Sequence, residues 1–130
     1  MYEISKHDWK LFRDNVETWQ ERYMEQLCNK YLSILQSTKP ASEKFWALEK
    51  STKIEKRKKG VLIELQKSNA VYDTVYFLMQ DIITMNDLAD FSDDFKETVQ
   101  YIKEIHTRSI THRLREQARL EAGACKSLVD

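Results

Sequence analysis

With 130 residues the chain suits one domain, and its 42 % hydrophobic content, with three Trp, six Tyr and five Phe, excludes a disordered chain. Two Gly and one Pro are too few for the close-set turns of a β-sandwich or barrel. Twenty-one basic and 21 acidic side chains cancel, so the molecule as a whole is not a general polyanion binder. The charge is nevertheless uneven. Residues 1–60 carry thirteen basic and nine acidic side chains, residues 61–100 two and eight, and residues 101–130 six and four.

The first element is read from Ile4-Ser5-Lys6-His7-Asp8-Trp9. Ser5 is placed to cap a helix, Asp8 stands at the third helical position where its carboxylate can reach back, and Ile4 can staple to Trp9. Apolar residues then recur at Trp9, Phe12, Val16, Trp19, Tyr23, Leu27, Tyr31 and Ile34, every gap being three or four. This aromatic stripe reads as a core face rather than a ligand groove. The helix is expected to end near Gln36, where Ser37-Thr38-Lys39-Pro40 supplies breakers. Cys28 lies beside the stripe and reads as a buried, inert thiol.

Ser42 is the expected cap of a second helix through Phe45, Trp46, Leu48 and Ile54, ending in the cations of residues 53–59 and then Gly60. A cationic last turn followed by Gly is what a helix C-terminus favours, since its dipole end is negative and the next residue wants a positive φ. Residues 61–65 are ambiguous between a turn of helix and an extended piece. Ser68 is expected to cap a helix through Val71, Tyr72, Val75, Tyr76, Leu78 and Met79. Thr84 with Asp87, and Ser92 with Asp93 and Asp94, mark two further helix starts. The last helix is expected to reach about Glu121, with Phe95, Val99, Ile102 and Ile105 or His106 on its stripe. Beyond His106 the stripe thins to Ile110, Leu114 and Ala118, and Gly123 is the expected stop.

Two helices of about 30 residues are each about 45 Å long, against a diameter of about 36 Å for a compact domain of this size. One of them must outrun its own domain, and the thin stripe beyond His106 marks where. The fold expected is all-α: one domain over residues 1–130, a bundle of four or five helices with long first and last members packed antiparallel. Residues 106–130 are expected to form a protruding basic tail.

On that tail Arg108, His112, Arg115 and Arg119 recur at offsets of four, three and four and so form one stripe. With Ile110 and Leu114 as apolar contacts they are the expected partner-binding residues, the partner being another protein or a second copy. The alternative is a nucleic-acid-binding regulator in which Lys53, Lys56, Arg57, Lys58 and Lys59 join the same basic face. Glu104, Glu116 and Glu121 on the same helix weigh against it.

Catalytic signals are few. His106 and His112 stand about 120° apart around a helix and cannot grip one ion together. Gly60 and Gly123 build no phosphate loop, and an enzyme would need a pocket gathering His106 with Glu104 or Asp73. The acidic stretch from Asp81 to Glu97 lacks the alternating ligands and Gly of a calcium loop. No enzyme activity, cofactor or metal is expected. Cys28 and Cys125 are too far apart for a metal or redox motif, no apolar run approaches a membrane span, and residues 1–8 show no leader pattern. A cytoplasmic location is the expectation.

The phrases Trp19-Gln20-Glu21-Arg22-Tyr23-Met24, Ser42-Glu43-Lys44-Phe45-Trp46-Ala47-Leu48-Glu49 and the run from Asp87 to Val99 resemble a group of small all-helical proteins of Gram-positive bacteria without an assigned activity. Some of these are carried by mobile elements. The resemblance covers roughly residues 9–105 and rests on packing and capping motifs. Where sequences of that kind often carry a Gly before the Ile-Thr turn, this chain has Asp81 before Ile82. The resemblance implies a small accessory or regulatory protein, such as a mobile-element inhibitor of a host system. The function expected is thus a non-enzymatic helical interaction or regulatory module.

Overall fold

The computed structural model describes residues 2–129, with side chains described through residue 123. The architecture is all-α: α1 (Lys6–Gln36), α2 (Ala41–Glu55), α3 (Ala70–Met79) and α4 (Asp93–Val129), with short 3-10 turns at Lys67–Asn69 and Met85–Leu88. The long first and last helices touch at their starts. Asp8, in the first turn of α1, accepts from the backbone N–H of Ser92 at 2.9 Å and from its hydroxyl at 2.5 Å. The hydroxyl of Ser92 in turn accepts from Phe95 N–H and so caps α4.

Ser5 caps α1 as expected, accepting from Asp8 N–H at 3.1 Å. The carboxylate of Asp8 does not reach back to close a capping box. It is fully buried and committed to Ser92 instead. The core is built by Phe12, Val16, Trp19 and Tyr23 of α1 against Val71, Val75, Phe77 and Leu78 of α3, closed by Leu88, Phe91, Phe95 and Val99. Edge-on and tilted rings set its geometry, with Trp19 5.7 Å from Phe77 and 6.5 Å from Phe91. The aromatic stripe of α1 is therefore core over Phe12 to Tyr23, as the periodicity predicts.

Several local expectations are corrected. α2 begins at Ala41 with Pro40 at the cap position, because the fixed φ of Pro40 (−58°) seeds the first turn and Ser42 is already inside it. Ser68 does not cap α3. It sits in the 3-10 turn, whose carbonyls at Gln66 and Lys67 take the N–H groups of Asn69 and Ala70. Residues 62–66 have no helical or strand structure. Gly60 does not adopt a positive φ. It is needed because the Tyr23 ring presses on its Cα: a Cβ there would lie 2.2 Å from a ring carbon. Gly123 does not stop α4, which continues to Val129.

Cys28 is exposed, not buried, because the α1 stripe leaves the core after Leu27. The side chain of Cys125 lies outside the described residues. No helix among the described residues is long and apolar enough to cross a membrane.

Candidate functional site

Two parts of the chain stand outside the core. The first is α4 beyond Lys103. At 1.5 Å per residue its 37 residues make a rod about 55 Å long. From Glu104 to Gly123 every side chain is exposed except Glu116, which is half-buried. The core face of the helix, formed by Phe95, Val99 and Ile102, continues into this segment as Ile110 and Leu114 (46 % and 62 % exposed).

The expected partner-binding residues do not share one face. At 100° per residue Ile110 and Leu114 lie about 40° apart, whereas Arg108, His112, Arg115 and Arg119 cluster on the opposite side. Ile110 and His106 line a groove of about 550 Å³ against α3, with Lys59, Tyr72, Tyr76 and Met79. Arg108 lines a separate concavity with Met85, Lys103 and Glu104. Glu104 and His106 therefore look into different spaces. Arg119 is held by Glu116 one turn back at 2.8 Å, which leaves Arg108, His112 and Arg115 as the outward groups of the stripe without an ion pair among the described residues.

The second exposed part is the hairpin of α1 and α2. α2 runs back along α1 and is tied to it by three side-chain bonds. Lys44 Nζ donates to the carbonyl of Leu35 at 2.8 Å, supplying the cation that the last turn of α1 lacks. Ser51 donates to the Tyr31 hydroxyl at 3.2 Å, and the Tyr23 hydroxyl donates to Glu55 at 2.5 Å. Glu55 is the one buried residue of α2. Phe45 and Trp46, read from the sequence as part of an apolar face, are instead 62 % and 63 % exposed.

The basic cluster after α2 divides in two. Lys58 pairs with Glu55 at 3.0 Å, and Lys59 pairs with Asp73, which is almost wholly buried, at 2.9 Å. Burial pushes the Glu55 carboxyl up, but the bonds from Tyr23 and Lys58 outweigh it and hold the group below its ordinary value. At Asp73 burial wins over Lys59, and the carboxyl is raised. Burial, with the bond to Glu55, raises the Tyr23 phenol far above its usual range. Lys58 and Lys59 thus serve the fold, while Lys53, Lys56 and Arg57 have no carboxylate partner among the described residues.

The sequence marked the basic residues correctly as cations but could not separate the paired from the free. It missed Phe45 and Trp46 as surface groups, because an apolar residue at helical spacing carries no label for which side will be covered. Compared with known proteins, the chain matches no family model, no curated protein and no solved structure.

Proposed function

We propose that this is a non-enzymatic helical interaction module whose α4 extension is the docking element for another protein, a second copy being the first partner to test. The observation that supports it is the run from Glu104 to Gly123, almost without a covered side chain. A helical segment of this length with so little of its surface covered is marginal in water, because most helical stability comes from tertiary packing of one face. A partner groove that receives Ile110 and Leu114 supplies that packing, in the helix-in-groove mode. Arg108, His112 and Arg115 on the far side favour a partner with acidic residues around the groove.

Light scattering coupled to size exclusion gives the mass, and hydrogen exchange on the same sample gives the state of α4. A dimer mass that falls to that of one chain in Ile110→Glu/Leu114→Glu supports self-docking. In a monomeric chain, residues 107–123 are expected to exchange much faster than residues 95–103. Strong protection of 107–123 in a monomer overturns the reading, because the helix would then already be satisfied by its own chain.

A further inference from the structure

The outer face of α2 exposes an aromatic pair beside a row of lysines, apart from α4. At 100° per residue Phe45, Trp46, Glu49, Lys50, Lys53 and Lys56 fall within a sector of about 140°. All six are exposed. The two rings stand edge to face, 5.1 Å apart at 87°, and both residues are more than half exposed. Phe45, Glu49, Thr52, Lys53 and Lys56 line a shallow concavity of about 570 Å³ between the aromatic pair and the end of the helix. Between residues 39 and 59 there are eight basic and three acidic side chains. Lys50, Lys53 and Lys56 have no carboxylate partner among the described residues, unlike Lys58 and Lys59.

We infer that this face binds single-stranded nucleic acid, with bases stacked on Phe45 and Trp46 and the backbone phosphates running along Lys50, Lys53 and Lys56. Aromatic platforms interleaved with cations are what sequence-tolerant single-strand binding requires, since every base has a π-face and every nucleotide a charge. The same interleaving disfavours a lipid surface. A helix that lies in a membrane segregates its aromatics from its lysines, and here insertion of Trp46 would drag Lys53, about 20° away around the helix, into the acyl region. A duplex presents no unstacked bases, so it engages only the lysines. Glu49 sits in the middle of the face and opposes the phosphates.

The test uses the full chain and a labelled twelve-nucleotide oligo(dT), read by fluorescence anisotropy. Three phosphate contacts predict a loss of affinity of about twenty-fold between 50 and 200 mM salt. Trp46→Ala is expected to weaken binding at least about five-fold, with Trp46→Phe retaining most of it. Lys53→Glu is expected to weaken binding and flatten the salt dependence, and Glu49→Gln to strengthen binding. All three side chains are exposed, so unchanged thermal unfolding confirms that the fold is not what moved. Absence of binding at 50 mM salt overturns the inference. So does equal affinity for the matching duplex without a Trp46 effect, or binding to phosphatidylserine vesicles with none to the oligonucleotide.

Discussion

The carboxylate of Asp8 holds both the backbone N–H and the hydroxyl of Ser92, 84 residues away, from a site with no solvent exposure. Ser92 is at the same time the cap of α4, so one anion lies at the positive ends of two helices. That contact ties the start of α4 to the start of α1. Asp8→Ala strands the donors of Ser92 in a buried place and is expected to cost about 3 kcal/mol, measured by urea denaturation. A cost under about 1 kcal/mol would show that the junction is held by packing alone.

Asp81 is the one non-glycine residue with a positive φ (57°) among the described residues. It follows the end of α3, where Ile82 N–H bonds Phe77 O at 3.0 Å and Asp81 N–H bonds Leu78 O at 3.1 Å. This is the Schellman ending, whose left-handed position is usually Gly. Asp81→Gly relieves the strain and is expected to stabilise the protein by about 0.5–1 kcal/mol, seen as a higher urea midpoint at constant slope. A lower midpoint would mean that the chain-entropy cost of Gly exceeds the strain.

Gly60 packs under the buried Tyr23 ring, which is itself anchored by its bond to Glu55. Gly60→Ala therefore cannot be absorbed by a small side-chain swing. It is expected to cost about 2–3 kcal/mol and to loosen the end of α2. Near-UV circular dichroism of the tyrosines, alongside the melting curve, would register it.

Asp87 closes a capping box, accepting from Thr84 N–H at 2.8 Å, and faces Arg22 at 3.4 Å. The backbone bond, with Arg22 adding and burial opposing, holds its carboxyl below the usual carboxylate range. A depressed acid stabilises the fold above its unfolded value of about 3.9, and that contribution is lost as pH falls through the folded value. Asp87→Ala is expected to cost about 1 kcal/mol at neutral pH, and the gap to the wild type should narrow in acid. A gap independent of pH would assign the loss to packing.

Some of these relationships could be read in the sequence and some could not. Ser5, Thr84 with Asp87, and Ser92 were legible as caps because a cap closes within three residues of chain. The partners of Asp8 and Lys59 were not, since Ser92 and Asp73 lie 84 and 14 positions away and only the folded chain brings them near. The candidate partner-binding set was legible as a list of residues on α4. That Ile110 faces α3 while Arg108 faces away follows only once the packed side of the helix is known.

The sequence by itself determined the all-α class, the long first and last helices and the aromatic core stripe, because helical hydrogen bonds and caps act over four residues or fewer. The tertiary structure decided which apolar residues stay outside, that α4 runs through Gly123, that Gly60 exists for Tyr23, and which cations are free. Burial and pairing depend on what arrives from elsewhere in the chain, and local spacing carries no record of those neighbours.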